Sequence, residues 1–338
     1  MTTTLVTGGA GYLGGRLVPA LRASGRNVVV VDPGWFGPPP WQPGPMLDII
    51  RRDSRDLTIG DLDGVEEIID LAGVSSESAA TRLPALTWAV NDGARHRLAE
   101  LARRAGVRRY TLPSSSNVYG ASDLPVDEDV EPNPQSVYSS ANRAAERHVL
   151  AFADDRFCPV VLRQATVYGW SPHVRHDLVV NAMTAHLLAT GRCRVLGDGS
   201  QRRPLIWIGD LITIHLRLLA TPAHRVRGQV FNAGAPNEQC SIGQLPAMIS
   251  AALDLTPELT YYGDHDPMSH VLSYSKLAAQ VGVEVGPSLE RGVVELAHRL
   301  RHAPAALEHD RVRRSRWLAD QEASGTTGSL SSVVEEHR

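Results

Sequence analysis

Cysteine is scarce in this chain: three in 338 residues, Cys158, Cys193 and Cys240. They stand far apart, without the paired spacing of a zinc or redox site, so free thiols in a reducing compartment are the simplest account. No apolar run reaches the about 20 residues that a transmembrane helix needs. The first residues pass straight into a strand pattern, with no secretory leader ahead of them. A cytoplasmic protein away from membranes is expected. Lys and Arg form no block with interleaved aromatics and the formal net charge is only −3, so nucleic acid is not an expected partner. No internal similarity recurs at periods of about 20–50 residues, which excludes a solenoid.

What is present begins at the amino-terminal end, where Thr7-Gly8-Gly9-Ala10-Gly11-Tyr12-Leu13-Gly14 follows the apolar Leu5-Val6 and precedes an amphipathic stretch. Glycines at 8, 11 and 14 let the chain turn sharply, approach a pyrophosphate, and pack a helix close to the strand. Val28-Val29-Val30-Val31-Asp32 then reads as a second buried strand ending in a carboxylate. It falls about 20 residues after the glycines, where a ribose diol is held. This order of strand, glycine turn, helix, strand and acid points to a dinucleotide. Asp32 favours NAD, since a 2′-phosphate would meet a carboxylate, although Arg51, Arg52 and Arg55 leave NADP open.

Apolar runs recur at 5–6, 28–31, 47–50, 68–71, 110–112 and 160–162, with helical patterns over 84–105 and 136–153. Such alternation predicts an α/β fold, a doubly wound parallel Rossmann sheet, with a smaller mixed α/β lobe after it. The expected division is 1–165 for the dinucleotide domain, with part of 200–235 returning to it, and 166–303 for a substrate lobe. Helices are predicted there over 173–189, 241–253 and 288–301. Residues 304–338 are polar and low in aromatics, which predicts a mobile tail with one short helix over 311–319. Six prolines within 33–45, beside Trp35, Phe36 and Trp41, exclude regular structure there. That segment is either a stiff flap beside the adenosine or a surface loop without ligand contact.

Two segments carry the chemistry. Leu112-Pro113-Ser114-Ser115-Ser116-Asn117-Val118-Tyr119-Gly120 leaves a strand at the carboxyl edge of the sheet, and Ser136-Val137-Tyr138-Ser139-Ser140-Ala141-Asn142 opens a helix about twenty residues later. Together with the glycine turn they resemble the extended short-chain dehydrogenase/reductase family, in its nucleotide-sugar epimerase and dehydratase branch, over residues 3–300. The resemblance implies that Tyr138 exchanges a proton with a sugar hydroxyl while Ser115 hydrogen-bonds the same oxygen. It implies a dinucleotide held by Gly8, Gly11, Tyr12, Leu13, Gly14 and Asp32, by Asp53 and Ser54 at the adenine, and by Leu71, Ala72, Gly73 and Asn91. It places Ser116 and Asn117 near the substrate, and Asn181 and Arg203 at the diphosphate of a nucleotide sugar. It further implies a homodimer through 84–105 and 136–153.

Two departures stand out. The family places a lysine four residues after the tyrosine, where its ammonium holds the nicotinamide ribose and favours the phenolate; here the residue is Asn142. An amide can still bond a ribose hydroxyl but brings no charge. Arg143 lies about 100° around the helix and does not replace it. Either another cation enters the site, or the enzyme is slow, or its chemistry has drifted. Met268 stands where a second phosphate-clamping arginine is usual. His173 and His176 lack a third ligand at suitable spacing, so no metal is expected, and Trp170 and Trp207 read as packing residues. Ser115-Ser116-Asn117 also lacks the acid pair of a 4,6-dehydratase. The reading is an NAD-dependent nucleotide-sugar epimerase, acting at C4. The alternatives are an NAD(P)H-dependent ketoreductase and a nucleotide-binding homologue without catalysis.

Overall fold

The computed structural model describes residues 1–302. Strands β1 (Thr3–Thr7), β2 (Asn27–Val31), β3 (Leu47–Ile50), β4 (Glu67–Asp70), β5 (Arg109–Ser115) and β6 (Cys158–Gln164) join Gln229–Ala233 in one seven-stranded sheet. All its pairings are parallel, in the order 229–233, β6, β5, β4, β1, β2, β3. The strand order reverses between β4 and β1, which opens a crevice at the carboxyl ends of the strands. This is the doubly wound sheet that the alternating pattern predicted.

Side chains of the strands point alternately to two covered faces. Val6, Val30 and Ile69 pack with Leu17, Val18 and Leu21 of α1 (Gly14–Ala23). On the other face, Leu5, Ile68, Tyr110 and Leu112 meet Leu98 and Ala102 of α4 (Arg95–Ala105) and Ala145 and Val149 of α5 (Val137–Leu150). Burial on both faces is why these strands read as near-continuous apolar runs. Between β4 and α4 the chain forms α2 (Glu77–Arg82) and α3 (Pro84–Trp88). The smaller sheet pairs Thr166–Tyr168, Arg202–Trp207 and Gln239–Ser241, and a two-stranded ribbon joins Arg192–Leu196 to Glu258–Tyr262.

Two predicted helices differ in the structure. The stretch 84–105 is not one helix: α3 and α4 are separated by a π-helical turn over Ala89–Ala94. In that turn the Asn91 amide accepts from the Val74 N–H at 2.7 Å and donates to the Val74 carbonyl at 3.0 Å, so tertiary bonds hold the wider spacing. The helix predicted from 173 begins only at Val179, as α6 (Val179–Thr190). Residues ahead of it are held open by Asn181 Nδ2, which donates to the Arg175 carbonyl. The tail read over 304–338, with its helix at 311–319, lies outside the described residues.

Candidate active site

A cleft runs across the carboxyl ends of β1, β2, β4, β5 and β6, with the smaller lobe as its far wall. The glycine turn forms one end. Gly8 has φ +60°, and a Cβ there would lie 2.8 Å from the Ala72 nitrogen. A Cβ on Gly14 would lie 2.1 Å from the Gly9 carbonyl oxygen. Helix α1 starts at Gly14 with Leu13 as its cap residue, no capping side chain and no acid in its first turn. A bare helix N-terminus behind a turn that admits no Cβ fits a dinucleotide diphosphate. In Gly14→Ala, α1 must move off the loop, and NAD binding is expected to weaken by about 2 kcal/mol, roughly 30-fold. Calorimetric titration of the folded variant with NAD checks this.

Asp32 closes β2 at the same end. One of its carboxylate oxygens accepts from the Ala10 N–H at 3.0 Å and the other from the Gly34 N–H at 2.7 Å. Burial pushes its carboxyl upward, and these two backbone donors oppose that. A carboxylate has about four acceptor sites, so room remains for a diol. Trp35 and Phe36 of the proline-rich segment stand on the cleft wall, whereas Trp41 packs against the core. Asp53 accepts from the Arg55 N–H and pairs with its guanidinium, both at 2.9 Å, which shapes the turn where Ser54 lies against the cleft. Leu71, Ala72 and Gly73 line the floor.

Of three residues expected to touch a ligand, Tyr12 and Asn91 border the cleft and Asn181 does not, and all three also bond within the protein. Asn91 commits its amide to Val74, as described, and so fixes the part of the cleft wall that it forms. Tyr12 donates to the Gly169 carbonyl at 2.8 Å and accepts from Asn181 Nδ2 at 3.3 Å. Asn181, expected at the diphosphate, is fully buried and off the cleft wall. It also accepts from the Gly169 N–H at 2.8 Å, so its polar atoms tie the 169–175 loop to the glycine turn.

At the other end Ser115 and Tyr138 come together. Ser115 ends β5, and its hydroxyl accepts from the Asn117 N–H at 3.2 Å. Tyr138 sits in the first turn of α5, whose start is set by reciprocal bonds between Ser136 and Ser139, each hydroxyl accepting the other's N–H at 3.0 Å. The Tyr138 phenol and the Ser115 hydroxyl border the same part of the cleft; burial holds the phenol above its ordinary value, against the pull of Arg95, Arg175 and the Ser115 hydroxyl. Asn142, expected at the cofactor ribose, does not line the cleft. Its carbonyl accepts from the Arg95 guanidinium at 2.6 Å and its amide donates to the Tyr138 carbonyl at 2.8 Å. Arg95 is the residue that faces the cleft there.

Around the pair, Ser116 bonds the buried His270 at 2.9 Å, and Asn117 donates to Glu77 at 2.8 Å. Burial pushes His270 down to about 4, so it is neutral near pH 7. Arg203 is on the cleft wall, with its guanidinium engaged by Asp266 at 2.5 Å and by the Met268 carbonyl. Met268, which stands where a second clamping arginine was expected, thus holds Arg203 through its backbone carbonyl. Sequence reasoning missed Arg95 and Glu77. Arg95 reads as an ordinary helix charge, and nothing local marks Glu77, which gives the cleft a carboxylate that Ser115-Ser116-Asn117 lacks.

Comparison with known proteins agrees with the fold and with a dinucleotide-binding family. Residues 4–234 match the family described as NAD dependent epimerase/dehydratase family. A UDP-glucose 4-epimerase of Mycolicibacterium smegmatis is 32% identical over 286 residues, covering 81% of this chain and 89% of the relative. The solved structure of MoeE5 in complex with UDP-glucuronic acid and NAD is 30% identical, with a TM-score of 0.80 over 89% of this chain and 99% of its own. TunA, a NAD dependent NDP-hexosamine 5,6-dehydratase, is 26% identical with a TM-score of 0.80, over 89% of this chain and 98% of its own. With a family match that spans most of its length, the chain belongs to the NAD dependent epimerase/dehydratase family.

Proposed function

We propose that this chain is an NAD-dependent nucleotide-sugar 4-epimerase in which Tyr138 carries the proton. The observation that carries the reading is the Tyr138–Ser115 pair at the opposite end of one cleft from the glycine turn and Asp32. NAD, when bound, accepts a hydride and gives it back. As the ring carbon loses that hydride, its hydroxyl proton passes to the Tyr138 oxygen, and Ser115 steadies the carbonyl oxygen that results. After the keto sugar turns over, Tyr138 returns the proton as the hydride arrives on the opposite face. Gly8, Gly14, Asp32 and Ser54 suit the dinucleotide, and Arg203 and Arg175 suit the diphosphate and sugar. We place the protein in the cytoplasm as a homodimer joined through α4 and α5.

The test is incubation of the purified protein with UDP-glucose and catalytic NAD. The expected result is UDP-galactose, with the same final ratio reached from either sugar and no net NADH. Stoichiometric consumption of NADH or NADPH by a keto sugar would instead select the ketoreductase. One observation favours a second reading, elimination of water: the Glu77 carboxylate held by Asn117 faces Tyr138. A product lighter by one water in the same incubation selects that reading.

A further inference from the structure

We propose that Arg95 supplies, from the neighbouring helix, the positive charge that the position four residues after Tyr138 does not, with Asn142 as the arm that holds it in place. The proposal rests on the reading of Tyr138 as the proton carrier. The geometry comes first. Arg95 is buried at 5% exposure, yet it borders the cleft. Its guanidinium donates to Asn142 Oδ1 at 2.6 Å, to the Ala72 carbonyl at 3.0 Å and to the Asn91 carbonyl at 3.3 Å. All three acceptors are neutral, and the Arg95 Nε has no partner among the described residues. A buried cation without a counter-charge is costly unless an anion completes its surroundings.

The anion that would complete them is the Tyr138 phenolate. The charged groups that face this phenol are Arg95 from α4, Arg175 from the loop before α6 and Glu77 from α2, with the Ser115 hydroxyl from β5. Arg175 is already balanced, since it pairs with Asp177 at 2.5 Å. Glu77 acts in the opposite sense. Arg95 is hydrogen-bonded to no carboxylate among the described residues, the buried Asp70 on the other side of Tyr110 being bonded to Thr7 and Tyr110, and its influence on the phenol is the largest of those opposing burial.

The backbone explains how an arginine reaches this place. Arg95 is the first residue after the π-helical turn Ala89–Ala94. One extra residue per turn shifts the side chains that follow around the axis, a device common at functional sites. The guanidinium then lies in the space left by Gly73, where a Cβ would be 2.9 Å from it. Asn142 is short enough to leave that space open and long enough to grip the guanidinium. The choice of arginine also suits a chain in which Lys276 is the one lysine.

The test titrates Tyr138 without turnover. For each protein with NAD present, the pH-dependent absorbance of ionised tyrosine is recorded and that of its Tyr138→Phe counterpart subtracted. Arg95→Met and Arg95→Gln are expected to raise the Tyr138 midpoint by about one pH unit or more. Arg95→Gln keeps a hydrogen-bond donor for Asn142, so it serves if Arg95→Met does not fold. Arg95→Met combined with Asn142→Lys is expected to bring the midpoint back. A midpoint unmoved by loss of Arg95, or a wild-type phenol that stays protonated until the fold melts, overturns the assignment. Absence of any sugar interconversion with the titration as expected would instead sink the epimerase reading alone.

Discussion

Tyr138→Phe is expected to lower kcat on the productive nucleotide sugar by about 10²–10⁴-fold, the usual worth of a positioned acid–base group, while NAD affinity stays nearly unchanged. The substitution removes one oxygen and keeps the ring, which packs against the Val74, Leu83, Leu86 and Val90 cluster. Its backbone carbonyl still accepts from Asn142, so the first turns of α5 are kept. The Ser115 hydroxyl keeps its bond from the Asn117 N–H. The glycine turn and Asp32, at the far end of the cleft, are untouched. Steady-state rates beside NAD titrations separate the two effects. Undiminished turnover would remove Tyr138 from the chemistry, and a large loss of NAD affinity would make it a structural residue.

The parts of this site that were legible in the sequence are local ones. The run from β1 through the glycine turn to Asp32 is a single β-α-β unit, so its spacing alone sets its geometry. Ser115 and Tyr138 belong to two short segments whose positions follow from a strand end and a helix start. What was hidden depends on partners far along the chain. Arg95 and Asn142 are 47 residues apart, and an arginine on a helix gives no hint that it turns inward. The π-helical turn that aims it is invisible to a pattern read at 3.6 residues per turn. Asn181 looks the same in sequence whether it meets a ligand or, as here, the Gly169 and Arg175 backbone. Asn142→Lys alone, which looks like a simple restoration of charge, removes the carbonyl that accepts from the Arg95 guanidinium and puts a second cation beside it. It becomes a sensible change only once Arg95 is replaced.

Glu146→Ala should cost about 3–5 kcal/mol of stability, because it strands a buried charge. Glu146 is fully buried, and Arg163 beside it is only 2% exposed. The Arg163 guanidinium reaches Glu146 at 2.7 Å, with further bonds at 3.1 and 3.2 Å, and the Ser114 hydroxyl donates to the same carboxylate at 2.6 Å. These three residues come from β6, α5 and β5, so one carboxylate pins the helix that carries Tyr138 to the strand that ends in Ser115. Removing it leaves Arg163 over the Tyr119 ring at 4.7 Å, a contact that offsets only part of the loss. Replacing both partners with apolar residues, as in Glu146→Leu with Arg163→Met, removes the stranded charge and is expected to recover much of the stability. Turnover should not recover with it, because the tie between Ser114 and α5 is gone and the Ser115–Tyr138 separation is no longer fixed. Denaturant unfolding of the single and double variants, with kcat measured on each, tests both halves. A single variant as stable as the wild type, or a double variant with full kcat, would show that the catalytic pair is positioned by something other than this buried ion pair.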